Sequence, residues 1–427
     1  MNRRRLVAAL GTAVVMVGAS ACSGGGSGGA KSSATSFEGR KLVVWLMAGD
    51  DLPSWMASVK AQFEQQYPGA TVDFKTQQWT GIQATVTDAL SNMVPPDILD
   101  IGNTQTAYYA STGGLMDLDR YRTQLGGADW TPSMNKSTLV GGKQFAAPWY
   151  AGPRAVMYNK KLWNRAGLTP PTTMAQWLTD LAQLKQTSGV KSALYLPGQN
   201  WYAFDGFLQD AGADVLTEQN GRWVGDLGSA QALQAAQLFK KLNSFGTAPV
   251  DQDEGHPLES SVFAKGDVAS MIAMGYEENA VVKDNPGMAG DIGWFPIPGD
   301  TPGKPAKTFF GGSNLAVAQN SANPALALGL LKIALDDTNE SAFAKQSGFL
   351  PNKAKLYPAI KGNAYAAAAS QEAADAGFTP LVPNWGNVEN TPNPITALFL
   401  TPILQGKDPQ AAAAAADAKL VARLGQG

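Results

Sequence analysis

The apolar and polar positions of the chain fall into a repeating pattern. Residues 41–47, KLVVWLM, form a nearly continuous apolar run of the kind that marks a strand covered on both faces in a parallel sheet. The run stops at Gly49-Asp50-Asp51, and Pro53 follows where a first helical residue tolerates it. Leu52, Met56, Val59 and Phe63 then recur at helical spacing until Pro68-Gly69. A second strand is predicted over residues 71–75. The loop Gln77-Gln78-Trp79-Thr80-Gly81 leads into a helix with Ile82, Val86, Ala89, Leu90 and Met93 on one face, closed by Pro95-Pro96. A third strand, residues 98–101, ends at Gly102-Asn103-Thr104. Such β-α-β-α-β alternation implies right-handed crossovers and a parallel sheet sandwiched by helices. Ligands of these sheets bind beyond the carboxyl ends of the strands, here Asp50, Gln78, Trp79, Asn103 and Thr104.

The pattern changes at residues 141–161, GGKQFAAPWYAGPRAVMYNKK. Pro148 fixes one backbone angle and has no N–H, so a strand is expected to end there. Trp149 and Tyr150 follow, then Gly152-Pro153-Arg154, then a fresh apolar run at residues 155–158. The stretch reads as a crossing between two lobes, and its two rings are candidates for a ligand cleft or for a buried loop. A second α/β region begins here. Met174, Trp177, Leu178, Leu181 and Leu184 form a helical core stripe, and Trp201-Tyr202 follows a Pro-Gly turn. A helix over residues 230–242 precedes an acidic loop at 251–254. The small and apolar run 268–274 ends at Gly275-Tyr276-Glu277, and Trp294 lies in the next short strand. FFGGSN at 309–314 enters another apolar strand, with Gly312 able to let backbone approach a ligand closely. A helix over 324–335, a crossing near Phe349-Leu350-Pro351, a Pro/Asn-rich loop with Trp385, and helices near 395–404 and 410–424 complete the chain.

Length then changes the picture: 427 residues suit two domains. Charge removes some partners. The only basic run is Arg3–Arg5, so nucleic acid and polyanions are not expected. Those arginines, an apolar run at 6–17 and small residues up to Cys22 have the pattern of a secretory signal. Removing residues 1–21 takes three arginines and no acid, which leaves 30 basic against 35 acidic side chains. Cys22 is the single cysteine, so an intramolecular disulfide is impossible. Its position after Ser20-Ala21 resembles a bacterial lipobox, although Ala19 stands where Leu is preferred and Ala19-Ser20-Ala21 also fits ordinary signal cleavage. Residues 23–36 are Gly, Ser, Ala and Thr with one Lys, a flexible tether.

Carboxylate, amide, indole and hydroxyl groups gathered at strand ends suit sugar hydroxyls and sugar faces. There is no Gly-rich phosphate cradle and no triad pattern. His256, the one histidine, sits between Gly255 and Pro257, a surface setting that does not suggest a metal, and no cofactor is expected.

Several blocks in order resemble the extracellular solute-binding proteins of bacterial ABC importers, in the sugar-binding group typified by maltose-binding protein. They are PPDILDIGNTQTAYYASTGGLMDLD at 95–119, GGKQFAAPWYAGPRAVMYNKKLW at 141–163, FAKGDVASMIAMGYEENA at 263–280 and FFGGSNLAVAQNS at 309–321. The IGNTQ and PWYAGPR segments are most similar to actinobacterial binders of chitobiose, N-acetylglucosamine or cellobiose. The resemblance implies an α/β two-lobe periplasmic-binding-protein fold of type II with three hinge crossings. Residues 37–150 plus 309–351 would form the N-terminal lobe, and 151–308 plus 352–427 the C-terminal lobe. It implies capture of a di- or oligosaccharide by hinge closure, delivery to ABC permease subunits, a monomer, and anchorage to the outer face of the cell membrane by a lipid on Cys22. Carried over by position, Asp50, Gln78, Trp79, Asn103, Thr104, Trp149, Tyr150, Trp201, Tyr276, Glu277, Gly312, Ser313 and Trp385 are the expected ligand contacts, with Arg154 either among them or pairing across the hinge. Two rival readings stay open: a binder of another small solute, such as a polyol phosphate or peptide, which would need a basic cleft, and a glycoside hydrolase using Asp50 and Glu277 as its two carboxylates.

Overall fold

The computed structural model describes residues 37–372 and 377–425. The signal segment, Cys22 and the tether lie outside them. Among the described residues no helix is long and apolar enough to cross a membrane.

The first strands and helices form as their pattern requires. β1 (Lys41–Met47) lies parallel to β2 (Thr71–Gln77) and to β3 (Ile98–Gly102). Helices α1 (Pro53–Gln66) and α2 (Ile82–Ser91) make the crossovers. In α1 the buried stripe is Trp55, Val59 and Phe63, one residue each per turn of helix. In α2, Ile82, Val86, Ala89 and Leu90 are buried as expected, but Met93 is not part of the stripe. The helix ends at Ser91, and Met93 is 93% exposed beyond it.

Three later strands complete a six-stranded sheet in the order Leu350–Pro351, Ala147–Ala151, Gly312–Val317, β3, β1, β2. Gly312–Val317 runs antiparallel to both its neighbours, so the sheet is mixed rather than purely parallel. Pro148 does not end a strand. It sits inside Ala147–Ala151, opposite Asn314, where the register shifts between Ser313 and Asn314; the irregularity accommodates the missing N–H donor. Pro148's own carbonyl accepts from Asn352 Nδ2 at 2.7 Å.

The second lobe is built on three antiparallel strands, with Ala155–Asn159 between Ser270–Ala273 and Ile292–Phe295. Trp163, Trp177, Phe204, Phe239 and Phe399 fill its core. The chain therefore crosses between sheets at residues 151–155 and again between 295 and 312. The third crossing lies later than residue 351. Lys353 Nζ donates to Leu335 O at 2.9 Å and pairs with Asp337 at 2.8 Å, and the helical turn Ala354–Ile360 packs on helix Asp337–Ser347. These contacts keep residues 352–360 with the first lobe. Helix Ala364–Glu372 then packs on the strands of the second lobe.

Candidate functional site

The strand ends meet where the parallel-sheet rule places a ligand. Gln77, the last residue of β2, lends its carbonyl to Ala48 N at 2.8 Å, and the loop that follows swings Trp79 over the sheet edge. Trp79 Nε1 donates to Ala48 O at 3.2 Å, and the ring lies 3.6 Å from where a Cβ on Gly102 would be. From the other lobe, Tyr276 opens helix Tyr276–Asp284 and lies against Gly49, 3.9 Å from its would-be Cβ. Gly49 has φ +102°, a conformation that suits glycine. Two aromatic rings from opposite lobes thus flank the end of β1, and both keep open surface: Trp79 is 43% exposed and Tyr276 36%. Gln78 is exposed beside them.

Beneath this floor lies a buried polar network. Tyr150 Oη donates to Asp50 Oδ2 at 2.7 Å, and Phe349 stacks on the Tyr150 ring at 4.3 Å. Asp100 accepts from Met47 N at 2.9 Å and faces Asp50, with the Ser313 hydroxyl alongside. Burial and the neighbouring Asp100 push the Asp50 carboxyl well above its usual range, and burial raises Asp100 to about 6. Two carboxyls this close do not both ionise readily, and Asp50 is the one that Asp100 pushes further up. Asn103 ties the end of β3 to the second crossing, with Nδ2 donating to Phe310 O at 2.7 Å and N to Gly312 O at 3.0 Å.

A second cluster surrounds Arg154. Its guanidinium pairs with Glu254 at 3.0 Å and lies 4.8 Å from the centre of the Tyr202 ring. Burial would lower its pKa, but Glu254 and Glu277 hold it above the usual value. Glu277 accepts from Met274 N at 2.7 Å, and burial lifts its carboxyl to about 7. Trp201 packs tilted against Tyr202 at 4.0 Å, and Tyr202 meets Phe309 at 4.9 Å. Among the described residues no group of three His, Cys, Asp or Glu could hold a metal, and His256 is an exposed partner of Asp253 at 2.9 Å.

Some expected contacts lie elsewhere. Trp149 is fully buried, wedged between Trp55 at 5.2 Å and Phe343 at 4.3 Å, and offers no ring face to a ligand. Trp385 is 1% exposed and donates through Nε1 to Glu389 at 2.9 Å. The close approach that Gly312 permits is to the strand beside it: a Cβ would stand 2.2 Å from Tyr150 O. Thr104 lies beside Glu389 rather than in the Asp50 network. Asp100, Tyr202, Glu254 and Glu389 were not expected. Tyr202 adjoins Trp201 and Glu254 lies in the acidic loop, so both carried a signal; Asp100, inside an apolar strand, and Glu389, in an irregular loop, carried none.

Residues 49–340 match the family described as bacterial extracellular solute-binding protein. The chain is 42% identical, over 99% of both lengths, to the diacetylchitobiose binding protein DasA of Streptomyces coelicolor. In fold it is similar to the GacH receptor of Streptomyces glaucescens, solved unliganded and with acarbose, at TM-score 0.78, 23% identity and coverage of 90% of this chain and 98% of that one. The sugar-binding protein MalE of Xanthomonas citri is similar at TM-score 0.76 and 21% identity, covering 90% and 98%.

Proposed function

Because the chain belongs to the bacterial extracellular solute-binding proteins, we propose that it captures a di- or oligosaccharide of the diacetylchitobiose class for an ABC importer. The observation that carries this is the pair of half-open rings, Trp79 and Tyr276, one from each lobe, at the end of β1. A sugar lying between them touches both lobes. Contact available in the closed state and lost in the open one is what drives closure. Each ring can cover roughly 50 Å² of sugar CH surface, worth about 1 kcal/mol at about 25 cal/mol per Å². Selectivity then rests on polar groups nearby, with Gln78 open to solvent and the amide of Asn103 and the carboxyl of Glu277 set into the walls. A sugar that leaves such groups unpaired is rejected.

The kinship with the diacetylchitobiose binder supports the ligand class. An anionic solute is less well served, since Arg154, the cation among the expected contacts, is already paired with Glu254. A hydrolase is also less well served: of the two carboxylates it would need, Asp50 is committed to Tyr150 and Asp100. In the same proposal the signal segment is removed, Cys22 carries the lipid anchor, residues 23–36 tether a monomer, and the closed lobes dock on the permease.

The test is a thermal-shift screen of the purified protein against diacetylchitobiose, N-acetylglucosamine, cellobiose, maltose, trehalose, amino acids and phosphorylated polyols, with the sugar samples assayed afterwards for released monosaccharide. A ligand at a hundred times its Kd stabilises the folded state by about 2.7 kcal/mol. A rise with diacetylchitobiose supports the proposal. A rise only with amino acids or phosphorylated polyols, or release of monosaccharide, contradicts it.

A further inference from the structure

One carboxylate bonded across the lobes has no part in the ligand reading. Glu389 ends the short helix Gly386–Glu389 of the second lobe. Its Oε1 accepts from Trp385 Nε1 at 2.9 Å, and its Oε2 accepts from Gln105 Nε2 of the first lobe at 3.2 Å. The Thr104 hydroxyl, also of the first lobe, lies beside the same carboxylate.

The partners on both sides are held in place beforehand. Tyr109, 1% exposed, donates from Oη to Gln105 Oε1 at 2.9 Å, which turns the amide nitrogen toward Glu389. Trp385 is packed near Trp201, with ring centres 6.3 Å apart. The loop bearing Glu389 is strapped by Arg423 of the last helix, whose guanidinium donates to the carbonyls of Asn387, Val388, Asn390 and Pro392 at 3.1, 3.2, 2.6 and 2.8 Å. Gly386 lets this loop reach α2 of the first lobe, where a Cβ would stand 2.8 Å from Gln83 Nε2.

We propose that Glu389 is an interlobe clasp, a positioning residue that sets how long the closed cleft retains its ligand, with Gln105 as its partner and Arg423 as its strut. The retention part rests on the sugar-capture reading; the clasp between lobes does not. Hydrogen bonds to a carboxylate are stronger than those between neutral groups. The Gln105 bond breaks whenever the lobes part, so it favours the closed state alone. Capture begins with the lobes apart, so the clasp acts mainly on release, and on encounter only through the fraction of sugar-free protein it holds closed.

The experiment compares wild type, Glu389→Ala, Glu389→Gln, Gln105→Ala and the Glu389→Ala/Gln105→Ala double variant in two measurements. Stopped-flow fluorescence gives association and dissociation rates for diacetylchitobiose. Small-angle X-ray scattering without sugar gives the radius of gyration. The clasp predicts that each alanine variant releases sugar on the order of tenfold faster, with association rising no more than the open fraction of the sugar-free protein, and that the double variant is no faster than the singles. Glu389→Gln, which keeps the shape and loses the charge, falls between. The sugar-free radius increases in all three alanine variants. Effects that multiply in the double variant assign Glu389 to the sugar itself and overturn the proposal, as do unchanged release and radius in folded variants. If wild type binds no sugar, the sugar-capture reading fails, and the radius alone still upholds or overturns the clasp.

Discussion

Trp79 and Trp149 are the same residue type in opposite situations. Trp79 lies over Gly102 with 43% of its surface open, whereas Trp149 is sealed between Trp55 and Phe343. Trp79→Ala is expected to weaken sugar binding by about 1 kcal/mol, roughly fivefold, while thermal stability stays within about 0.5 kcal/mol of wild type. Trp149→Ala is expected to cost about 3–5 kcal/mol of stability through the cavity it leaves. Titration calorimetry paired with thermal melting separates the two, and a selective binding loss in Trp149→Ala would contradict the assignment. The chain's pattern could not distinguish them. An indole after a strand and an indole inside one are both apolar in a one-dimensional pattern, and only the opposing helices decide which is covered. The same holds for Asp100, which lies in a run of apolar residues and acquires its partner from the end of a strand distant in sequence.

The strands and helices of the first lobe were legible because each follows its own period: β1 is apolar throughout, and α1 repeats at helical spacing. What was not legible was pairing. Pro148 was expected to stop a strand, yet neighbouring chain shifts register to receive it. The late third crossing likewise depends on Lys353 reaching Leu335 and Asp337, contacts that no local pattern encodes. Gly312 makes the pairing testable. Its φ is +153°, and a Cβ would stand 2.2 Å from Tyr150 O in the adjoining strand. Gly312→Ala is therefore expected to disturb the strand pair and the Tyr150–Asp50 bond above it, at a cost of about 1–3 kcal/mol. The check is a lower denaturant midpoint at unchanged slope. An unshifted midpoint would mean that the two strands have more room than their spacing indicates.

Across the whole molecule, buried carboxyls set how stability varies with pH. Glu340 accepts from Asn352 N at 2.9 Å, and burial raises its pKa from 4.5 to about 8. Glu277, raised to about 7, and Asp100, raised to about 6, move in the same direction. Between the unfolded and folded values the native protein keeps a proton that the unfolded chain has released. The stability this contributes is complete below about pH 4.5 and is lost as pH rises toward about 8. The melting temperature is thus expected to fall from pH 5.5 to pH 8.5, and Glu340→Gln to flatten that fall. An identical pH profile in the variant would remove Glu340 from the account.

The two lobes have meaning only if something binds between them, and Tyr276 tests this most directly, because it reaches the end of β1 from the other lobe. Titration calorimetry of diacetylchitobiose into wild type and Tyr276→Ala is the measurement to make. The structure predicts saturable one-to-one binding in wild type, weakened several-fold in a Tyr276→Ala protein that still melts cooperatively. Equal affinity in the two proteins, or no heat in either, would contradict a sugar site between Trp79 and Tyr276.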